Sequence, residues 1–206
     1  MAESEETEEV PIEHRHFIIY KPYGYLSQFI NNQTRRINKK LLGELHDFPD
    51  RVMSIGRLDQ DSEGLLLLTT NGKLSALVRG RKVEKEYYVQ LDGLITDEAI
   101  EKLRAGVEIK VDGKRFQTSP ANCFRMEEAP KLPERAKKIR DEHHGPTSWM
   151  SICITEGKFR QVRKMAAAVG FPVLRLVRYR MGGMTIQDMQ AGEVYEVEAF
   201  DLNLDK

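Results

Sequence analysis

The sequence lacks several features on which whole classes of protein depend. It contains only 2 cysteines, Cys123 and Cys153. They form no C-x-x-C pair, so they indicate reduced thiols and not a disulfide framework or a zinc site. The longest apolar runs, residues 65–68 and 165–169, are far shorter than the roughly 18 residues that a membrane span needs. The N-terminus has no apolar segment of the kind found in secretory signals. We therefore expect a cytoplasmic protein without a membrane partner.

The charge of the chain balances overall but is unevenly distributed. The 32 Lys and Arg residues match 32 Asp and Glu residues. Residues 1–13 contain six acids and no base, which predicts an acidic disordered tail. Residues 131–180, in contrast, contain twelve basic and four acidic residues. This basic stretch fits either an ordinary solvated face or a surface that binds a polyanion such as nucleic acid.

The order of predicted elements favours the α+β class. Short strands alternate with short helices from residue 14 to residue 200, without the steady period of a doubly wound sheet. Residues 201–206 are expected to form a C-terminal tail. Residues 127–147 contain three prolines and ten charged side chains, which predicts a long exposed insertion. A helix is predicted from about residue 158 to residue 169, with Phe159 on its buried face.

The first candidate site is the loop at residues 56–64, which carries three acids at alternate positions. These acids are Asp59, Asp61 and Glu63. A calcium loop is excluded because position 70, where a bidentate Glu is required, is Thr70. A magnesium-dependent nuclease and a plain polar turn both remain compatible with this pattern. In another interpretation, Arg57 keeps Asp59 ionised at the mouth of a basic cleft, where Asp59 acts as a nucleophile or base.

Two further candidates lie later in the chain. Gly157 turns the chain into a basic amphipathic helix, whose first turns would offer an anion or phosphate site. The cations of this segment are Lys158, Arg160, Arg163 and Lys164. A solvated helix surface would show the same pattern. Tyr87, in a predicted strand, fits either a core position or a cleft wall that stacks on an unstacked base.

The candidates belong to an ordered series of motifs. The series is Lys21-Pro-Tyr-Gly24, Gly56-Arg-Leu-Asp59, Lys85-Glu-Tyr87 and Glu156-Gly-Lys-Phe-Arg-Gln-Val-Arg163. In this order the motifs resemble the ribosomal small-subunit/large-subunit branch of the RNA pseudouridine synthases. The resemblance covers roughly residues 16–198, and the complete series is far more specific than any one of its parts.

This resemblance implies the fold and the activity of the chain. The expected fold is a mixed, mostly antiparallel sheet with flanking helices and a catalytic cleft between two subdomains. Because the pattern starts near residue 16, no S4 RNA-binding domain is expected before it. The expected enzyme isomerises a uridine to pseudouridine in RNA. Within the branch the resemblance is closest to enzymes that act on large-subunit ribosomal RNA, so this RNA is the expected substrate. The enzyme would work without a cofactor or a metal, and as a monomer.

The resemblance also implies roles for individual residues. Asp59 matches the essential aspartate of the family, Tyr87 its active-site tyrosine, and Arg163 the basic residue paired with that aspartate. Phosphate contacts would help to offset the free energy of extruding the target base. The cations expected to make these contacts are Lys21, Arg57, Lys158, Arg160, Lys164, Arg175 and Arg178. A non-catalytic RNA-binding module and the magnesium nuclease remain as alternatives, although binding alone would not need the anion at Asp59.

Overall fold

A computed structural model describes residues 13–30, 39–140 and 142–203. Nearly all of the predicted acidic tail therefore lies outside the described residues. The helices are α1 (Gly72–Gly80), α2 (Asp97–Ala105) and α3 (Gln161–Ala168), with short 3₁₀ turns at Leu42–Glu44 and Glu142–His144. The strands are β1 (His16–Lys21), β2 (Tyr25–Leu26), β3 (Lys40–Leu41), β4 (Met53–Ser54), β5 (Glu63–Thr69), β6 (Lys85–Asp92), β7 (Glu108–Val111), β8 (Lys114–Gln117), β9 (Asn122–Met126), β10 (Thr147–Ile154), β11 (Val173–Met181), β12 (Met184–Thr185) and β13 (Val194–Val197).

One large mixed sheet organises the domain. Its order is β13-β1-β5-β11-β6-β10-β9, with β4 added beside β5 and β12 beside β11. Among the strand pairs that the described residues form in this sheet, only β5 and β11 run parallel. Two small ribbons, β2–β3 and β7–β8, complete the strands. The prediction of an α+β fold with a mostly antiparallel sheet is confirmed.

The central strand β5 supplies hydrophobic side chains to both faces of the sheet. Leu66 and Leu68 belong to a core that includes side chains of α2 and α3, whereas Leu65 and Leu67 belong to a second core that includes Val78 of α1. All four leucines are fully buried. This two-sided burial explains why the strand reads as a continuous apolar run, since successive side chains point to opposite faces. Within the described residues, no helix is both long and apolar enough to cross a lipid bilayer.

Helix α3 begins later than the sequence predicts. Arg160 adopts the left-handed conformation, with φ 53° and ψ 36°, and the helix starts at the next residue. A left-handed residue does not continue a right-handed helix, so residues 158–160 form a turn instead. Phe159 consequently lies outside the helix and is 63% exposed. The prediction that Phe159 packs in the core is wrong.

The segment at residues 127–147 is more closely packed than the sequence predicts. Leu132 packs against the core on the α1 side of the sheet. The side chain of Arg135 is only 11% exposed, and its Nε lies 3.2 Å from Oε2 of the buried Glu63. Arg140 forms an ion pair with Asp92 at the end of β6. Alternating charges and prolines predicted an exposed insertion, but three of its side chains attach the segment to the sheet.

The packed domain also extends past the predicted boundary at residue 200. Leu202 is only 3% exposed and belongs to the core on the α1 side of the sheet. Its backbone lies against Gly182, where an added Cβ would come within 3 Å of the Leu202 backbone. The segment following β13 is therefore held at the domain surface as far as Leu202.

The parallel junction between β5 and β11 depends on Gly64. Gly64 lies opposite Arg178 in the strand register, and its φ is +102°. A Cβ at this position would clash with the backbone oxygen and nitrogen of Arg178. The loop that carries Asp59 enters β5 just before this junction, so the close approach of the two strands fixes where that loop ends.

We predict that Gly64→Ala strongly destabilises the protein, by about 3 kcal/mol or more, because it combines an unfavourable φ with a backbone clash. Gly113→Ala is the matched control, since Gly113 also has positive φ, +77°, but an added Cβ meets nothing within 4 Å. That control should lose only about 1–2 kcal/mol. Urea unfolding of both variants measures the difference, and equal losses would contradict the steric explanation.

Candidate active site

A cleft of about 1470 Å³ lies over the central strands of the sheet. Its lining includes Asp59 from the loop before β5, Arg178 from β11 and Tyr87 from β6. Because β5, β11 and β6 are neighbours in the sheet, three segments that are distant in sequence meet at one place. The turn before α3 forms another wall and contributes Arg160. The cleft therefore collects the motifs that the sequence analysis singled out.

The loop that carries Asp59 is fixed on both sides of that residue by hydrogen bonds to the segment around β2. The Ser27 hydroxyl donates to the carbonyl of Leu58 at 2.8 Å and accepts from the Leu58 N–H at 2.9 Å. On the other side, the Gly24 N–H donates to the carbonyl of Gln60 at 2.8 Å. The Gln60 side chain returns a bond to the Gly24 carbonyl at 3.0 Å. Such double attachment holds Asp59 in place before any substrate binds.

Asp59 and Asp61 occupy different electrostatic environments. The side chain of Asp59 is 26% exposed, and its Oδ2 lies 3.4 Å from Nη1 of Arg160. Burial raises the pKa of Asp59, and the positive charge of Arg160 only partly opposes this effect. Burial is the largest single effect on Asp61 as well, but the hydrogen bonds from Arg160 and the positive charges of Arg163 and Arg160 together outweigh it and lower the pKa of Asp61. Arg160 donates to both carboxylate oxygens of Asp61 at 2.9 Å.

Arg163 contacts the neighbouring acid instead of Asp59. Its Nη2 donates to the backbone carbonyl of Asp61 at 2.8 Å and lies 3.5 Å from the Asp61 carboxylate. The predicted pairing of Arg163 with Asp59 is therefore wrong at the level of direct contact, and Arg160 is the ion-pair partner. The left-handed turn at Arg160 is responsible, because it removes that residue from the helix that carries Arg163.

Tyr87 occupies both of the positions that the sequence left open, in the core and in the wall of the cleft. It is 9% exposed and belongs to the hydrophobic core on the α2 and α3 side of the sheet. It also lines the cleft, where it lies between Ile152 of β10 and Arg178 of β11 in the strand register. A tyrosine held this firmly by its neighbours presents a rigid aromatic surface to the cleft.

Three of the cations predicted to bind RNA are buried. Lys21 is 0% exposed, Arg178 3% and Arg175 8%. The ammonium of Lys21 donates to the carbonyls of Pro22 and Tyr25, and burial lowers its pKa to about 7. These positions are incompatible with phosphate contacts at the protein surface, which corrects the prediction for Lys21 and Arg175. Arg178 lines the cleft, so its contact with RNA bound there stays a prediction.

The buried arginines support the protein scaffold. Arg175 donates two hydrogen bonds to Glu63, at 3.1 and 2.8 Å, and a third to the carbonyl of Pro133. Arg178 donates through Nε to the carbonyl of Leu65 at 2.7 Å. Apolar and basic residues alternate along much of β11, a pattern typical of a strand with one solvated face, but both faces of this sheet are covered by other segments of the chain.

The other predicted cations lie at or near the surface around the cleft. Arg57 and Lys158 are exposed and line the cleft. Lys164 is partly exposed, and its ammonium lies 5.2 Å from the centre of the Phe159 ring. Arg160 is engaged with the two aspartates as described above. Phosphate contacts by Arg57, Lys158 and Lys164 are therefore compatible with the structure.

Sequence reasoning assigned no role to Lys85, which also lines the cleft. Its ammonium donates to the carbonyls of Val83 at 2.8 Å and Thr155 at 3.0 Å. Burial, more than any other effect, lowers the pKa of Lys85 to about 8. The available signal was strand alternation, which places Lys85 on the same face of β6 as Tyr87.

The described residues contain no group of three or more His, Cys, Asp or Glu side chains arranged to hold a metal ion. Asp61, the acid next to Asp59 in the alternating series, is bound to two arginines. Cations thus occupy the positions around these carboxylates that a nuclease site would give to a metal. The arrangement fits a single carboxylate that acts in a cleft lined with positive charge.

Comparison with known proteins agrees with this geometry. Residues 15–168 match the family model described as RNA pseudouridylate synthase. The chain is 45% identical over 189 residues to ribosomal large subunit pseudouridine synthase E of Vibrio vulnificus, which covers 90% of this chain and 76% of the relative. It is 42% identical over 178 residues to the protein of the same name from Xanthomonas campestris, which covers 85% of this chain and 91% of the relative.

A solved structure described as a pseudouridylate synthase shares the fold. It superposes with a TM-score of 0.66 at 25% sequence identity. The superposition covers 90% of this chain and 70% of the chain in the solved structure. The matched family region begins with β1 and includes Asp59, Tyr87 and the whole of α3. Most of the cleft lining thus lies within the matched region, and β11 adds Arg178 from beyond it. The chain belongs to the RNA pseudouridylate synthase family.

Proposed function

We propose that this RNA pseudouridine synthase modifies a uridine of large-subunit ribosomal RNA, with Asp59 as the essential carboxylate. The central observation is a half-buried aspartate, fixed by hydrogen bonds on both sides, that faces an arginine and shares its cleft with Tyr87. The names of the relatives from Vibrio and Xanthomonas support the choice of RNA. A ribosomal RNA substrate also favours action in the cytoplasm.

The proposed reaction rearranges one uridine without an external reactant. The bond between C1′ of the ribose and N1 of the uracil breaks, the base turns, and a new bond joins C1′ to C5. The proton on C5 leaves, and N1 gains one. Uridine and pseudouridine have the same atoms and the same oxidation level, so the reaction consumes no co-substrate and needs no redox cofactor. The proposal includes no metal.

Asp59 is suited to act on the nucleotide in the cleft because its charge is only partly neutralised. Burial removes water from the ionised carboxylate, which makes it more reactive. The positive charge of Arg160 helps to keep the carboxylate ionised. Tyr87 would stack on the extruded uracil, which has lost its neighbours in the RNA. Arg163 acts on the site indirectly in this proposal, since it holds the backbone of the loop through Asp61.

RNA affinity is assigned to the exposed cations near the cleft. Arg57, Lys158 and Lys164 would contact phosphates, which releases counterions and makes binding dependent on salt. The buried Lys21 and Arg175 have no part in these contacts, whereas Arg178 would meet only RNA bound inside the cleft that it lines. We further propose that a monomer is sufficient, because one chain supplies the aspartate, its arginine and the aromatic wall.

We predict that Asp59→Asn lowers the isomerisation rate by at least about 100-fold and leaves RNA affinity nearly unchanged, because only the charge is removed. The assay follows tritium release from an unmodified large-subunit ribosomal RNA transcript labelled with [5-³H]uridine, in EDTA. Asp112→Asn is the control, since Asp112 is exposed in the β7–β8 turn. Retention of a tenth of the activity by Asp59→Asn would remove Asp59 from its proposed role.

The two aspartates should affect stability in opposite directions near neutral pH. A raised pKa means that folding disfavours ionised Asp59, so Asp59→Asn should raise the urea midpoint, and this gain should disappear in acid below the usual pKa of an aspartate. A lowered pKa means that folding favours ionised Asp61. Asp61→Asn should therefore lower the midpoint, and this loss should shrink as the pH falls through the folded pKa. Shifts of the same sign in both variants would contradict the assigned environments.

Arg160 and Lys158 should separate chemistry from binding. Arg160→Ala removes the ion-pair partner of Asp59, so the saturated single-turnover rate should fall by about tenfold or more. Lys158→Ala should leave that rate unchanged and weaken binding. Because one phosphate contact is lost, the slope of log affinity against log salt concentration should fall by about one. Affinity and single-turnover rate are measured at several salt concentrations. An unchanged saturated rate for Arg160→Ala would show that the contact with Asp59 does not serve catalysis.

A further inference from the structure

An exposed aromatic ring stands at the rim of the cleft. Phe159 is 63% exposed and belongs to the cleft lining. It directly precedes Arg160, whose side chain contacts both Asp59 and Asp61. A phenylalanine with this much surface in water loses the favourable transfer of a buried ring. Among the described residues, the aromatic ring pairs do not include Phe159.

One lysine lies against this ring, and a second lysine adjoins it in sequence. The ammonium of Lys164 lies 5.2 Å from the centre of the Phe159 ring. Lys158, on the other side in sequence, is exposed, and its ammonium lies 4.8 Å from the ring of Phe116. Aromatic rings interleaved with cations are typical of surfaces that bind single-stranded nucleic acid, because bases stack on the rings and phosphates contact the cations.

The turn that presents the ring is held in one conformation. The side-chain oxygen of the buried Gln161 accepts from the Lys158 N–H at 3.0 Å, and its nitrogen donates to Glu156 at 2.6 Å. Glu156 in turn accepts from the backbone and hydroxyl of Ser119. A surface fixed in this way loses little conformational freedom when a ligand stacks on it.

We propose that Phe159 is a stacking platform for a nucleobase beside the target uridine in the same RNA strand, with Lys158 and Lys164 at the adjoining phosphates. The target base itself is assigned to Tyr87, which is buried inside the cleft, so the exposed ring at the rim is left for a neighbouring base. The proposal depends on the proposed RNA substrate. A protein partner would explain the exposed ring but not the flanking lysines.

Phe159→Leu keeps an apolar side chain and removes the aromatic face. We expect it to weaken binding of the unmodified large-subunit ribosomal RNA transcript by about 5- to 150-fold, the range typical of base stacking. The saturated single-turnover rate should stay within about twofold of the wild type, and the salt dependence should not change, because no phosphate contact is lost. Phe159→Tyr should keep the wild-type affinity.

Phe124→Leu is the matched control. Phe124 is also an exposed phenylalanine, 46% accessible, but it lies on β9 and is absent from the cleft lining. Its replacement should not change RNA affinity. Equal effects of Phe124→Leu and Phe159→Leu would overturn the proposal, because the loss would then reflect general surface hydrophobicity.

A direct readout of stacking uses Phe159→Trp, since the chain has only 1 tryptophan of its own. Binding of a short single-stranded oligouridylate should quench the fluorescence of this variant clearly more than that of the wild type. Absence of extra quenching, or an unchanged affinity of Phe159→Leu for both RNAs, would overturn the platform. If the wild type binds oligouridylate but releases no tritium from the transcript, the proposed substrate fails, and the quenching still decides the role of Phe159.

Discussion

The contacts of Arg160 with the two aspartates join the two walls of the cleft. Asp59 and Asp61 come from the loop before β5, whereas Arg160 precedes α3, about a hundred residues later in the chain. The bidentate bond to Asp61 fixes the guanidinium, which then lies within reach of Asp59. One acid thus holds the arginine, and the other is left partly unsatisfied. This division lowers the pKa of Asp61 and leaves that of Asp59, which burial raises, above its usual value, in keeping with the reactive role that we propose for Asp59.

Several charged side chains are buried in the sheet beneath the cleft. Glu63 is 1% exposed and neutralises Arg175 at 2.8 Å, with Arg135 close by. The guanidinium of Arg135 also lies 4.0 Å from the centre of the Tyr23 ring, in the segment that holds the Asp59 loop. Removing one member of such a cluster would leave an uncompensated buried charge. The segment at residues 127–147 is therefore connected to the active site through Arg135.

Elements with a strong local signal were predictable. The Thr96 side chain accepts a bond from the Ala99 N–H and caps α2, and Gly106 ends that helix with φ 89°. A hydroxyl residue before a helix and a glycine after it are signals that a sequence shows directly. The fully apolar run at residues 65–68 became the central strand β5. Helix α3 was predicted with the wrong start, because the left-handed conformation of Arg160 delays the helix to the next residue and no local pattern in the sequence marks that conformation. Its consequence is the exposed Phe159, which a helical periodicity would bury.

The sequence by itself determined the α+β class, the family and the set of motifs that meet in the cleft, because periodicity, capping residues and motif order are local properties of the chain. It also identified Asp59 and Tyr87 as the candidates around which the site is built. Tertiary structure alone decided that Arg160 and not Arg163 contacts Asp59. It also decided that Lys21, Arg175 and Arg178 are buried. The contact depends on which carboxylate lies nearest to each arginine, and the burial depends on which segments pack over each side chain. Those neighbours come from parts of the chain far away in sequence.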